Sequence, residues 1–235
     1  MSFKYSIVIP CYNEEKGLDS LLKAIVNFPK YHDVEFILVE NGSTDGSRNI
    51  FKSRNEFDQT RIKSVFIDKN QGYGYGIKKG LSVATGDYLG WVHADLQLPL
   101  EDLIQFFDYS DSKSYGHLFM KGIRSNRPFI DSFFTFCMGV FESLLFQRHM
   151  YDVMAMPILF SRDMLESFDE FPDDFSIDIY VYVIALKNGY EIYRKPIHLK
   201  EREFGDSSWN TGLKSRVKQS KKMIDGSIAI RRKIK

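Results

Sequence analysis

Cysteine is scarce in this chain: its 235 residues include only Cys11 and Cys137, far apart and without metal-type spacing. That excludes a disulfide framework and a cysteine-ligated zinc site. An excess of one charge is also missing. Thirty-two Lys and Arg stand against 31 Asp and Glu, a net charge of +1, so the global basicity expected of a nucleic-acid binder is absent. No unbroken apolar run reaches the roughly 18–20 residues that a bilayer span requires. The nearest, Phe133 to Phe146, is interrupted by Glu142 and reads as a buried or interfacial helix. Met1-Ser2-Phe3-Lys4 leads straight into a strand-like run with no signal-peptide pattern, so a cytoplasmic location is expected. Repeats, low-complexity segments and dividing linkers are not seen.

What is present is the ordinary balance of a folded chain, 43% hydrophobic and 27% charged. The length suits one large domain, or one domain with a small appendage. Apolar runs alternate with stretches of helical period, which predicts βαβ units around a mainly parallel sheet. Strands are expected at 5–10, 34–39, 62–67 and 87–92, with helices at 15–28, from Ser43 or Thr44 towards Arg54, and at 76–84. Beyond residue 98 the pattern predicts a helix over 99–107, strands at 117–121, 156–160 and 191–199, and a helix over 178–188 closed by Gly189. A long apolar helix is expected within 126–148. The basic tail from Lys214 to Lys235 reads as helical.

Three predicted strand ends run into polar loops: Cys11-Tyr12-Asn13-Glu14, Glu40 to Asp45, and His93 to Gln97. Ligands of open α/β sheets sit outside the carboxyl ends of parallel strands, so these loops are expected to converge on one crevice. Asp95 is the acid best placed there to hold a divalent cation through oxygen. A turn or cap residue before Pro99 is the plain alternative.

The order of these segments resembles the family 2 glycosyltransferases. The residues that carry the likeness are IVIPCYNEE at 7–15, VENGSTDGS at 39–47 and NQGYGYGIKKGLSVATGDYLGWVHADLQ at 70–97. Gly122-Ile123-Arg124, the Asp152 region and Arg202 to Ser207 are similar to the dolichol- and polyprenyl-phosphate sugar synthase branch. The resemblance implies a GT-A fold, an α/β architecture with a mainly parallel central sheet flanked by helices. It implies one domain over 1–210, with a nucleotide-sugar-binding half at 1–98, an acceptor half at 99–210, and a basic helical tail at 211–235.

By that likeness Pro10, Tyr12, Asn13, Glu14, Glu40, Asn41, Gln71, Gly72, Lys78, His93, Ala94 and Asp95 would bind the donor. Asn41 stands where the family has a second acid, and His93 where it has the first aspartate of a D-x-D motif. A divalent cation, Mg or Mn, would be held by Asp95, with Gln97 and His93 as further ligands. Lys78 could reach a phosphate or lie on a solvated helix face. Arg124, Arg127 and Arg202 would stabilise leaving-group or acceptor phosphate, with Ser207 and Ser208 in a turn that could close over it. Asp152 is the favoured general base for a hydroxyl acceptor, with Asp178 second, although Asp178 could equally be a first-turn helix acid.

The implied reaction is inverting transfer from a nucleotide-sugar to a polyprenyl-phosphate or a lipid-linked glycan, in surface polysaccharide or glycoconjugate synthesis. A nucleotide-sugar-binding protein without transfer activity is the reading from another class, motivated by His93. A sugar nucleotidyltransferase would carry a Gly- and Arg-rich loop after the first strand, where this chain has Cys11-Tyr12-Asn13-Glu14. The basic tail suits peripheral membrane contact. The phenylalanines of the apolar helix suit lipid contact, helix packing or a homodimer.

Overall fold

The computed structural model describes residues 3–53, 61–113, 116–201 and 213–234. Its centre is one seven-stranded sheet in the order β3-β2-β1-β4-β6-β5-β7. The strands are β1 (Tyr5–Cys11), β2 (Val34–Asn41), β3 (Ile62–Ile67), β4 (Tyr88–Trp91), β5 (Leu118–Arg124), β6 (Ile158–Ser161) and β7 (Glu191–Ile197). Strand β1 pairs in parallel with both β2 and β4, and β2 pairs in parallel with β3. The four-residue β6 runs antiparallel between β4 and β5, and β5 pairs in parallel with β7. Every strand except β6 therefore points its carboxyl end at one edge of the sheet.

All eight residues of β2 are buried, as befits a strand covered on both faces. Its one deeply placed charge away from the strand end, Glu35, is matched by four donors. Ser6 Oγ donates at 2.6 Å, and Thr85 donates through both backbone N–H and hydroxyl at 2.7 Å. Lys63 Nζ lies 2.6 Å from the other carboxylate oxygen. Burial works against the Glu35 charge, but Lys63, Ser6 and Thr85 outweigh it and hold the carboxyl below its ordinary range. At the far edge, Pro196 sits in β7, an outer strand that can spare the missing N–H.

Among the described residues seven helices flank the sheet: α1 (Leu18–Asn27), α2 (Ser47–Ser53), α3 (Tyr73–Leu81), α4 (Ile104–Asp111), α5 (Phe129–Phe146), α6 (Ile177–Lys187) and α7 (Leu213–Lys233). The core is continuous across the sheet, mostly aliphatic, and its largest fully buried side chains include Trp91, Phe28, Phe36, Phe106, Phe107, Phe119 and Phe160. Each such side chain contributes about 1.5–3 kcal/mol by leaving water. Helix α6 is buried at nine successive positions, Ile177 to Ala185, the pattern of a helix covered on all sides.

Several elements begin or end away from their predicted places. Helix α1 starts at Leu18 because Glu14 to Gly17 form a turn in which Gly17 and Leu18 N–H donate to the Glu14 carbonyl. Helix α3 starts three residues early, where the Tyr75 N–H finds the carbonyl of Asp173 from a distant loop. The segment after Pro99 opens as a 3-10 turn over Leu100–Leu103 before α4. A second 3-10 turn over Arg162–Ser167 was not expected. Helix α5 extends the apolar run back to Phe129 and reaches 18 residues, long and apolar enough to cross a bilayer by length and composition. That corrects the reading of the run as too short, since Pro128 lets the helix start ahead of Phe133.

Candidate functional site

The strand order turns back at β1, whose successors β2 and β4 lie on opposite sides of it. This is a topological switch point, and open α/β sheets bind ligands outside the carboxyl ends of the strands there, here β1, β2 and β4. The loops after these strands are laced together. The Asn13 N–H donates to Ser43 Oγ at 3.1 Å, and the Thr44 N–H donates to Asn13 Oδ1 at 2.8 Å. The Glu14 N–H donates to Ser47 Oγ at 3.0 Å, and the Gly46 N–H donates to the Glu15 carboxylate at 2.9 Å. Asn13 adopts φ 57°, a left-handed conformation that asparagine tolerates. Pro10 is half-buried one residue before the end of β1, while Tyr12 just beyond it is 44% exposed. Asp45 lies in the same lattice. Although partial burial opposes its charge, bonds from Ser47 and the Glu15 N–H hold the carboxyl low, so it organises the loop.

Glu40 and Asn41 close the end of β2, both buried. Glu40 accepts the Ser43 N–H at 2.6 Å and lies 3.4 Å from Arg48 Nε. Asn41 donates to the Gly72 carbonyl at 3.1 Å, and its own carbonyl accepts from Asn70 at 2.9 Å. Its side-chain oxygen is buried without a hydrogen-bond partner in the described structure. A buried acceptor of this kind is costly unless some donor reaches it.

The segment at the start of α3 is clamped rather than open. Gly72 has φ +122°, and a Cβ there would stand 2.2 Å from the Asp173 carbonyl oxygen. A Cβ on Gly74 would meet the Pro172 carbonyl oxygen at the same 2.2 Å. Lys78 pairs with the Asp173 carboxylate and donates to the Phe171 carbonyl at 3.3 Å, which ties it to this loop. Gln71 remains exposed beside it. The 171–174 loop was not anticipated, because nothing in Phe171-Pro172-Asp173-Asp174 signals a contact some 100 positions earlier in the chain.

His93, Ala94, Asp95 and Gln97 follow β4, Ala94 buried and the other three half-buried. Asp95 accepts the Gln97 N–H at 3.2 Å, and Gln97 donates its side-chain amide to the Lys200 carbonyl at 3.3 Å. The His93 ring lies 5.4 Å from the ring of Tyr73, which stacks on Phe175 at 4.5 Å. The Tyr73 hydroxyl is buried without a hydrogen-bond partner in the described structure. Burial raises its pKa well above the usual value, and the nearby carboxylates of Asp178 and Asp95 push the same way. No cluster of three or more His, Cys, Asp or Glu suited to a metal occurs among the described residues. A cation at Asp95 would therefore draw ligands from a bound diphosphate, the usual arrangement where one or two carboxylates serve magnesium. With one carboxylate, an amide and an imidazole in the loop, the donor set fits that arrangement.

Two strands from β4, the carboxyl end of β5 carries the basic half of the site, roughly 10 Å away at ordinary strand spacing. Asp152 is 2% exposed and has φ 44°. It accepts the Arg124 backbone N–H at 2.7 Å and Arg124 Nε at 2.8 Å, with Nη2 also on the carboxylate. Burial alone would raise its pKa, but the Arg124 charge and hydrogen bonds prevail and hold the carboxyl below its ordinary range. Lys121, missed in the sequence reading, is fully buried in β5 and donates to the carbonyls of Asp152 and Val153 at 3.1 and 2.6 Å. Burial and the neighbouring Arg194 depress its pKa. Arg127 donates to the Thr135 hydroxyl.

Asp178 lies in the first turn of α6. It is fully buried, accepts the Trp91 indole N–H at 2.9 Å, and has its pKa raised by burial. Arg202, Ser207 and Ser208 lie outside the described residues.

The structure brings the donor-side candidates and the Arg124–Asp152 pair to one edge of one sheet. The family model of glycosyl transferase family 2 matches residues 6–167. Glucosyl-3-phosphoglycerate synthase from Mycobacterium tuberculosis, solved with Mn2+, uridine diphosphate and glucosyl-3-phosphoglycerate, is similar in structure. Its TM-score is 0.71 at 16% identity, over 97% of this chain and 80% of that one. The same synthase with Mn2+, UDP-glucose and phosphoglyceric acid gives 0.72 at 17% identity over the same shares of the two chains. A structure described as a mycobacterial protein gives 0.75 at 17% identity, over 97% of this chain and 74% of that one. Likeness at this identity establishes the shared GT-A fold, and the family match establishes the class: the chain belongs to glycosyl transferase family 2 and is a glycosyltransferase.

Proposed function

We propose that the enzyme transfers a sugar from a nucleoside-diphosphate sugar, with inversion, to an oxygen of an already ionised phosphate acceptor such as a polyprenyl phosphate. The acceptor oxygen forms the new bond to the anomeric carbon. The bond to the donor diphosphate breaks, and the electron pair leaves with the nucleoside diphosphate. Tyr12 offers a face for the base, and the unmatched Asn41 oxygen offers an acceptor for a base N–H. A divalent cation held by Asp95, with Gln97 and His93 completing the set, would offset the charge of the departing diphosphate. The mycobacterial synthase, crystallised with manganese or magnesium and uridine diphosphate, supports that donor class.

The observation that carries the acceptor reading is the state of Asp152. A hydroxyl acceptor needs a base that is accessible and basic. Asp152 is neither, because Arg124 occupies its carboxylate and lowers its pKa. Asp178 is sealed in the core. A phosphate oxygen needs no base, and the Arg124 and Arg127 guanidinium groups suit its charge. A hydroxyl acceptor is the second reading, favoured by the phosphoglyceric acid bound to the mycobacterial synthase. In that reading Arg124 would leave Asp152 when the acceptor binds.

The test begins with thermal shifts against UDP-, GDP-, CMP- and dTDP-sugars, with and without manganese or magnesium. A cation-enhanced shift with one nucleotide, abolished in Asp95→Ala, is expected. The preferred donor is then offered a short polyprenyl phosphate, the matching polyprenol and phosphoglyceric acid. Product with the polyprenyl phosphate alone supports the proposal. Product only with a hydroxyl acceptor transfers the argument to the second reading, and donor binding without transfer or donor hydrolysis would indicate a binding protein.

A further inference from the structure

Lys121 is fully buried in β5, an unfavourable place for an amine. A hydrophobic side chain of its size would fill the same space without losing the hydration of a charge. Its contacts show what it does there. The Lys121 Nζ donates to two successive backbone carbonyls, Asp152 at 3.1 Å and Val153 at 2.6 Å. It also lies 4.9 Å from the centre of the Tyr182 ring, whose face suits a cation. Arg194, the register partner of Lys121 on β7, reaches the same Asp152 carbonyl at 3.5 Å and the Gly122 carbonyl at 3.3 Å. The Ala155 N–H donates to the Asp152 carbonyl as well, at 3.1 Å.

This tethering converges on a residue whose backbone is left-handed. Asp152 has φ 44°, a conformation disfavoured for a residue with a Cβ and kept only where the surroundings over-determine it. In that conformation its carboxylate meets both the backbone N–H and the Nε of Arg124, at 2.7 and 2.8 Å. Relaxation of the turn would take the carboxylate off the guanidinium. We infer that Lys121 is a positioning residue for sugar transfer, holding the Asp152 turn so that the Arg124–Asp152 pair is fixed at the acceptor end of the site. Lys121 is sealed from solvent, so it acts through Asp152 and not on substrate. The inference rests on the reading that the acceptor meets this pair, and it holds for a phosphate or a hydroxyl acceptor alike.

Lys121→Met keeps the length of the side chain and removes its donors. Steady-state transfer is measured with donor and acceptor varied in turn. Acceptor kcat/KM should fall at least about tenfold, while the donor KM stays unchanged. Asp152→Asn and the double variant complete a cycle. The double variant should be no slower than the slower single one, because both changes act on one element. Losses that multiply would overturn the inference, as would an equal effect on donor and acceptor.

A second readout uses the free protein. The Arg124 Nε–H signal in a 15N NMR spectrum, assigned by its loss in Arg124→Lys, should exchange slowly with solvent in the native chain. Lys121→Met should speed that exchange at least about tenfold. Native-like exchange in Lys121→Met, or fast exchange already in the native chain, would sink the inference even if activity were lost. Thermal unfolding checks that the variant is folded. If it is not, Arg194→Met loosens the same carbonyl from the neighbouring strand and carries the same expectations. A native enzyme that turned over none of the acceptors offered would count against the proposed acceptors alone, and the exchange measurement would still decide the role of Lys121.

Discussion

The Asp152 carboxylate takes two side-chain bonds and one backbone bond from Arg124 while almost wholly removed from water. Removing its charge would leave a part-buried guanidinium without its counter-ion, the costly way to break such a pair. Asp152→Asn is therefore expected to lose about 3 kcal/mol of stability at neutral pH, measured by urea unfolding. The pH dependence has a definite sign. The native-state pKa of Asp152 lies below the ordinary value of 3.8, so its contribution is complete above that value. It disappears as the pH falls through the native-state pKa. The acid limb of the stability profile should flatten in the asparagine variant, and an unchanged limb would mean the pair is not formed in solution. Both Asp152 and Arg124 were legible in the sequence as candidates for chemistry, but their contact was not. It spans a helix and a loop and depends on the left-handed turn at Asp152.

Elements repeat this pattern, with existence readable and junctions hidden. All seven strands stand close to where apolar runs placed them; β1, β2, β4 and β6 are buried almost throughout, and a strand buried on both faces must be written as such a run. The antiparallel direction of β6 was not readable, since four residues carry no sign of which way they travel. The early start of α3 was hidden for another reason: its first turn is capped by a carbonyl from the 171–174 loop. That contact predicts a contrast between two glycines that both have positive φ. At Gly189, φ is +75° and a Cβ would meet nothing within 4 Å. Gly189→Ala should thus cost only the left-handed backbone penalty, about 1 kcal/mol. Gly72→Ala adds a collision with Asp173 backbone 2.2 Å away, which no side-chain rotation relieves. It should cost about 3 kcal/mol and release Lys78 from its loop. Urea unfolding of the two variants side by side is the measurement, and equal losses would show that the clamp is not held.

Across the whole molecule, α7 joins the catalytic body through Glu142, a residue that the sequence presents only as an interruption of an apolar run. Sequence alone cannot show that the interruption points inwards, because its partner Ser227 lies 85 positions away on another helix. The consequence is a pH dependence opposite to that of Asp152. An ordinary glutamate titrates near 4.5, but burial pushes Glu142 up to about 7, with the Ser227 bond only partly opposing the rise. Between those two values the native state keeps a proton that the unfolded chain has released. Stability from this group is therefore full below the lower value, falls as pH rises through the window, and is lost above the upper one. The total is on the order of 3 kcal/mol, since each unit of pKa difference corresponds to about 1.4 kcal/mol. Glu142→Gln keeps an oxygen for the Ser227 hydroxyl and removes the charge. Near pH 5 the variant should match the native protein, and near pH 8 it should be more stable by roughly 2–3 kcal/mol. Urea unfolding at both pH values, followed by the far-ultraviolet helix signal, measures the difference. Parallel profiles for the two proteins would show that Glu142 is already ionised in the native state.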